Sequence, residues 1–560
     1  MSSDVVVSGC VTDIWEGNPA WSQPNFCASL YATGLIKPRG LHIDDDDEIL
    51  VVERGRSRVV RLDNDGADIV SVAGVAGLNH GIELADGYLY ASTPTTVYRW
   101  PYEKGQTTAG NADNVQEVIV GMDRTAGDEL GADGGHTTRT LAFDSDGRWL
   151  YVSIGSLGNI DADSFRSRIR RFDIAAWDAV QPLNFNDGEV FADGLRNEVG
   201  LAFDSHGDLW GVENGADNLY RDDLGGDIHH DNPSEELNRF REEQAGEHWG
   251  YPYCWSEYCL PVENGGSGMK GANTPWAWRS SSSSGYTDEW CRENTNRSAM
   301  SMPAHSAPLG IAFYNWRDTS QDEGCVGGFP RSLDNYAFIA FHGSWNRSPP
   351  TGYKVVFVPF DTEGNPTALP IDLFRHGGNG AKWPDRLRPV DVQFDSCGRL
   401  FVTEDGTGTV IKITYGGRST DDFVTIQTDV ADGASCTTFQ PPTQTPSKAP
   451  THSPETPPTA TSFLPLPADS TASTPSSSEA TPTFSSQNNP PTKMPTAFPK
   501  PSPPASTIAP TSSPSIAWAL KPVDSCCKPN SSTSTPNSFL SRFTRRVVLV
   551  CVVSYFSLFY

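Results

Sequence analysis

Six times between residues 40 and 415 the chain repeats one motif: an apolar strand, an acidic turn and a second strand. The copies are GLHIDDDDEILVVERGRSRVVRL (40–62), GIELADGYLYASTPTTVYRW (81–100), TLAFDSDGRWLYVSIGS (140–156), GLAFDSHGDLWGVENGADNL (200–219), GIAFYNW (310–316) with YAFIAFHGSW (336–345), and DVQFDSCGRLFVTEDGTGTVIKITY (391–415). The D-S-D-G, D-S-H-G and D-S-C-G tetrads are hairpin turns, in which Asp supplies a local hydrogen bond and Gly the positive φ. On either side residues alternate with the period of two that strands require, as at Leu209, Gly211 and Glu213. A sheet this small cannot bury its own faces, so such repeats close into a radial array. Six copies predict an all-β, six-bladed β-propeller. A β-sandwich would not repeat one blade motif six times.

Composition sets the boundaries. Beyond about residue 440 the chain turns to Pro, Thr and Ser, as in TPSKAPTHSPETPPTATS, with too little apolar surface to offset its chain entropy. The expected organisation is an N-terminal segment (1–29), the propeller (30–436), a disordered stalk (437–545) and a hydrophobic tail (546–560). The formal charge is −27, and the eight basic and four acidic side chains beyond residue 440 leave −31 on the folded part. So acidic a surface repels phosphate backbones and argues against nucleic acid.

Eight of the eleven cysteines lie in the first 436 residues, without zinc-like spacing, which favours disulfides and an oxidising compartment. Sequence proximity pairs Cys10 with Cys27, Cys254 with Cys259, Cys291 with Cys325 and Cys397 with Cys436, although spacing alone does not fix connectivity. Asn296 and Asn346 head N-x-S sequons, as on a secreted or cell-surface protein. The opening MSSDVVVSGC has neither the charge nor the apolar stretch of an export signal and reads as a truncated start, with a cytosolic protein as the alternative. At the other end, VVLVCVVSYFSLFY follows a small-residue cluster and Arg545–Arg546, the order of a glycolipid-anchor signal; a tail anchor or an end without function are the alternatives.

In a propeller the segments leading into the innermost strands ring one mouth of the central channel. Here they are KPRG (37–40), LNHG (78–81), GGHTTRTL (134–141), GLRNEVG (194–200), HSAPLG (305–310) and LRPVDV (387–392). They carry Arg39, His80, His136, Arg139, Arg196, Asn197, His305 and Arg388, and HGSWNR adds His342 and Arg347. Arginines and histidines converging on one mouth repel one another unless something anionic and planar sits there, and guanidinium suits carboxylates and flat rings. Taken singly, Arg39 would pair with a surface Asp and His305 would be a satisfied polar residue. His136, Arg196 and Asn197, each in a tight glycine-held segment, point to function.

The motifs GGHTTRTL, GLRN, VENGADN, LNHG, HGSWNR and LRPVDV resemble those of the soluble quinoprotein sugar dehydrogenases. That group includes bacterial soluble glucose dehydrogenase, the sorbosone dehydrogenases and, with most likeness, the fungal pyranose dehydrogenases. The resemblance covers about residues 30–415. It implies an enzyme that uses pyrroloquinoline quinone (PQQ) and calcium to oxidise a sugar and passes electrons to an external acceptor, a cytochrome or a quinone. It further implies that His136 is the catalytic histidine and that Arg196 and Asn197 contact the reactive quinone carbonyls. Arg39, Asn79, Arg347 and Arg388 fall where side chains hold the cofactor, and His80, Arg139 and His342 belong to the same ring. Gly215 and Ala216 fall where backbone carbonyls bind calcium. A lysine of the bacterial glucose enzyme near HGSWNR has no counterpart, so glucose specificity does not carry over.

The residues read by themselves agree. Oxidising an alcohol needs a base and a hydride acceptor, and no side chain accepts hydride. No G-x-G-x-x-G joins a strand to a helix, which argues against nicotinamide and flavin. A neutral imidazole at His136 suits the base, and Arg196 suits stabilisation of negative charge. The oxygen-rich stretch 222–238 suits calcium, although Asp222, Asp223, Glu235 and Glu236 are expected mostly as a solvated acidic loop. Two other readings use the same scaffold. A calcium-dependent lactonase would grip its metal with Glu213, Asn214 and Asp217, and a non-catalytic binding propeller would need no site.

Overall fold

The computed structural model describes residues 20–436 apart from 107–114, 123–134, 162–164, 279–285, 320–321, 323, 379, 419, 421–425 and 428–435. The expected stalk and tail, Cys10 and residues 1–19 lie outside the described residues. Six sheets of four or five strands make six blades, antiparallel except for the outermost pairings of blades two and three. Their innermost strands are Pro38–Ile43, Ile82–Ala85, Leu141–Phe143, Glu198–Phe203, Pro308–Phe313 and Pro389–Phe394. Each packs against the next and the sixth packs against the first, so the ring is closed.

Each gap between neighbouring blades holds its own apolar cluster. Between blades one and two, for example, Leu50 and Val59 meet Leu89 and Trp100. Both faces of a blade are thus covered, which is why Ile49–Glu53 and Ala337–Phe341 are buried at every position. Glycine lets the inner strands approach at the axis. A Cβ at Gly40 would stand 2.0 Å from the His80 carbonyl oxygen, and one at Gly310 would stand 2.5 Å from an Asp391 carboxylate oxygen. The turn tetrads form as the sequence predicts. Asp204 Oδ1 accepts the amides of His206 and Asp208, and its Oδ2 takes the Trp210 indole N–H at 2.9 Å.

The sheets begin before residue 30. Phe26–Thr33 supplies the outermost strand of blade six against Thr409–Tyr415, and Ala20–Ser22 extends blade five against Ile371–His376. The last blade of a ring has an open edge, and the start of the chain fills it. Such an edge strand carries no turn tetrad by which to recognise it.

The disulfides depart from sequence proximity. Cys254 pairs with Cys291, Cys259 with Cys436, and Cys325 with Cys397. Three expected pairs (Cys254–Cys259, Cys291–Cys325 and Cys397–Cys436) are therefore corrected. The reason is packing. Cys254 opens a short strand whose partner, Pro275–Ala277, lies against the helix Asp288–Asn294 that carries Cys291. Cys325 lies in a segment whose Phe329 amide bonds the Gly398 carbonyl, which brings it beside the turn of blade six. Cys27 is disulfide-bonded, and the partner expected for it, Cys10, is among the undescribed residues.

Candidate active site

His136 precedes the inner strand of blade three, and Ser156 follows the second strand of the same hairpin, so the two meet at the channel mouth. The His136 Nδ1 lies 2.9 Å from the Ser156 carbonyl oxygen. A carbonyl only accepts, so Nδ1 carries the proton and Nε2 keeps a lone pair. Burial, then the positive charge of Arg196, pushes the imidazole pKa down to about 4. The ring is thus neutral near pH 7. Beneath it, Arg139 and Arg166 both donate to the His136 carbonyl at 2.8 Å, and Arg166 also holds the Gly155 carbonyl. Arg139 is fully buried and also donates to the Pro94 and Thr138 carbonyls. It therefore props the His136 segment instead of facing the mouth as expected. Gly155 presses on two candidate residues at once: a Cβ there would lie 2.3 Å from Asn197 Oδ1 and 2.7 Å from the His136 Cβ.

Arg196 enters from blade four. Its guanidinium donates to the carbonyls of Asn159, Asn214 and Gly215, to Asn159 Oδ1 and to Asp217 Oδ2, at 2.6–3.2 Å. Asp217 in turn stands 3.5 Å from His305 Nδ1. Burial would raise the Asp217 pKa, but the His305 hydrogen bond and the Arg196 charge hold it below the usual carboxylate range. His305 also bonds the His229 carbonyl through Nε2, so it is the satisfied residue expected of it. Behind Arg196, Glu213 accepts the Arg196 amide and shares Asn238 with Glu198. Burial, then neighbouring carboxylates, raises both glutamates well above the usual range. Glu235 and Glu236 are buried on the third strand of blade four and are not the solvated loop expected. Glu235 accepts the amides of Gly215 and Ala307. Ala216 is buried next to Gly215. The lactonase ligands do not come together: Glu213 faces the inner acids, Asn214 donates to the Pro308 carbonyl, and Asp217 holds Arg196.

A second cluster joins blades one, five and six. Asp405 bridges Arg39 at 3.0 Å and His342 Nε2 at 2.8 Å. Arg388 donates to the His342 and Gly343 carbonyls and stands over the Tyr353 ring at 5.4 Å. Arg39 thus has the carboxylate partner expected of a lone arginine, yet it is buried. Arg347 turns to blade four, where it pairs with Asp231 and the His230 carbonyl. Asn79 donates to the Thr137 carbonyl and so ties blade two to the His136 segment.

Five buried polar atoms on these lead-in segments have no partner among the described residues: Arg39 Nε, Asn79 Oδ1, His80 Nδ1, Asn197 Oδ1 and Glu198 Oε1. An unmet buried polar atom costs about 1–3 kcal/mol, so such a group in one mouth marks a place kept for a polar ligand. An open pocket of about 360 Å3 is lined by His136, Asn159, Arg196, Asp217, Asn218 and Trp345 among others, with none of the residues that carry the unpartnered atoms in its wall. A larger hollow of about 540 Å3 lies among the turns at the other end of the inner strands. Asp44, Asp45 and Asp395 line it and no histidine does, whereas His136 and Arg196 line the smaller pocket. Sequence reasoning missed Arg166, Asn159 and Trp345, which lie in segments after the second blade strands and not in the lead-ins.

The chain is 30% identical over 419 residues to the pyrroloquinoline quinone-dependent pyranose dehydrogenase of Coprinopsis cinerea, a match covering 68% of this chain and 52% of that protein. It thus spans about half the length of that relative. The holo form of the pyranose dehydrogenase PQQ domain from Coprinopsis cinerea superposes with a TM-score of 0.58 at 28% identity, over 71% of this chain and 97% of the domain. A calcium structure of the family AA12 enzyme of Trichoderma reesei gives a TM-score of 0.58 at 29% identity, over 71% and 97%. The TrAA12-like family model matches residues 21–416, the whole span from the first blade strand to the last, and the chain belongs to that family.

Proposed function

We propose that this propeller is a PQQ- and calcium-dependent dehydrogenase that oxidises a pyranose or related sugar and passes the electrons to an external acceptor. The observation that carries the reading is the set of unpartnered buried polar atoms on lead-in segments that also bring together Arg39, Arg196 and Arg388. Their chemistry fits an anionic, carbonyl-rich ring system, and the relatives support the same cofactor. Arg39, Asn79, His80, Arg196, Asn197 and Arg388 would hold it, with His342 and Arg347 fixing their surroundings. The oxygens of Asn159, Asn214, Gly215 and Asp217 are of the kind a hard cation takes, and calcium would replace the Arg196 guanidinium at those it binds.

PQQ, when bound, supplies the two-electron acceptor that no side chain can be. His136 then does what its geometry allows: Nε2 takes the proton of the substrate hydroxyl while Nδ1–H stays on the Ser156 carbonyl. Arg139 and Arg166 keep that ring in place through its backbone. Arg196 keeps positive charge beside it, where an anionic ligand offsets the repulsion that lowers the His136 pKa. The test is dye reduction by the purified protein with a panel of pyranoses, with and without added PQQ and calcium. Quinone-dependent turnover is the expected result, and lactone hydrolysis without quinone would support the other enzyme reading. The disulfides and sequons support a secreted or cell-surface location.

A further inference from the structure

The geometry points to Trp345 as a stacking platform that sets the affinity of the mouth for the pyranose ring, an inference that rests on the dehydrogenase reading above. Trp345 is the most exposed large apolar side chain among the described residues, at 74%. It lines the pocket shared with His136, Asn159, Asp217 and Asn218.

The exposure is not that of a loose loop, because both flanks of the residue are pinned. Ser344 exchanges hydrogen bonds with Thr351, through its amide to the Thr351 carbonyl at 2.9 Å and through its hydroxyl from the Thr351 amide at 3.0 Å. The Tyr353 hydroxyl also donates to the Ser344 carbonyl. On the other side, Asn346 donates to Asn218 Oδ1 at 3.0 Å, and the almost fully buried Arg347 side chain holds Asp231 and the His230 carbonyl. A fixed backbone therefore presents an indole to water, where it gains nothing for the fold.

An indole face suits one kind of ligand in a polar pocket: a ring with an apolar face and a polar rim. A pyranose has that shape, with axial C–H bonds on a face and hydroxyls around the edge. The polar side chains of Asn159, Asp217 and Asn218 share the pocket wall with the indole, in the mixture of aromatic wall and few polar groups typical of small-molecule sites. Trp345 lies outside the lead-in segments and touches neither His136 nor Arg196 in any hydrogen bond, so it contributes affinity and not proton transfer.

The test compares wild type, Trp345→Ala and Trp345→Phe as full-length protein loaded with PQQ and calcium, with a small dye as acceptor. Quinone affinity is titrated by absorbance, and binding of a pyranose is followed calorimetrically alongside turnover. Trp345→Ala is expected to raise KM and weaken pyranose binding on the order of tenfold with kcat and quinone affinity kept, and Trp345→Phe is expected to recover most of the loss. An unchanged KM in an active Trp345→Ala variant overturns the platform and leaves the dehydrogenase reading standing; this is also the outcome if the indole docks a protein acceptor, which a dye bypasses. Loss of quinone affinity in Trp345→Ala overturns it as well, making the indole a cofactor contact. A wild-type protein that takes up no quinone overturns both.

Discussion

Removing the His136 imidazole should leave the mouth able to bind quinone while slowing turnover on the order of a hundred- to ten-thousandfold, the usual worth of a general base. Steady-state rates and a quinone titration on His136→Ala check this, and near-normal turnover would remove His136 from the chemistry. The same residue makes a prediction about stability. Its folded pKa of about 4 lies below the ordinary histidine value of about 6.5. Between those values the unfolded chain binds more protons, so stability rises with pH across that window and is lost as pH falls towards 4. The difference between wild type and His136→Ala in melting temperature should therefore depend on pH between 4 and 6.5 and flatten above it. Gly155→Ala is expected to act through position alone. Its methyl would collide with Asn197 Oδ1 and the His136 Cβ, so kcat/KM should fall at least tenfold while the far-ultraviolet spectrum stays unchanged. Equal activity would show that the mouth tolerates the shift. Neither this contact nor the Arg166 support was legible in the sequence, because both depend on which residues lie opposite each other across a hairpin.

At the scale of elements, legibility followed locality. The turn tetrads and inner strands could be read because each is written within about ten residues, as in TLAFDSDGRWLYV. Fourth strands could not, since they are short and meet partners far away; Phe26–Thr33 pairs with strand Thr409–Tyr415 at the other end of the propeller. The disulfides failed for the same reason, Cys259 reaching Cys436 across 177 residues. Arg139 shows the limit at the site itself: its motif placed it by the mouth, but side-chain direction sent it into the core. The ring closure makes a prediction of its own. Deleting residues 1–33 exposes the edge of Thr409–Tyr415 and takes Phe26 and Ala28 out of the cluster between blades five and six, uncovering Ile413. Such a chain should lose cooperative thermal unfolding and aggregate, whereas deleting residues 1–19 removes no strand of the described sheets. An unaltered melting curve for the larger deletion would mean that the ring does not depend on this strand.

For the whole molecule, we propose that the Pro/Thr/Ser-rich stretch is a dispensable stalk and residues 547–560 a cleaved anchor signal, so that the propeller works without either. A chain ending at residue 437 keeps Cys436 for Cys259 and retains every described blade strand. It should melt like the full chain and match its turnover within twofold. A folded but inactive truncation would make the stalk part of the machine. The acidic propeller gathers Arg39, Arg196 and Arg388 in one mouth, and the account stands or falls on what those residues hold. The most direct measurement is an equilibrium titration of PQQ into the calcium-loaded protein, with Arg388→Ala in parallel. The account predicts saturation at one quinone per chain, with affinity weakened by roughly 1.5–3 kcal/mol in the variant, the worth of a hydrogen bond to a charged group. No saturable binding to the wild type, or binding that Arg388→Ala, Asn197→Ala and Arg39→Ala all leave unchanged, would contradict it.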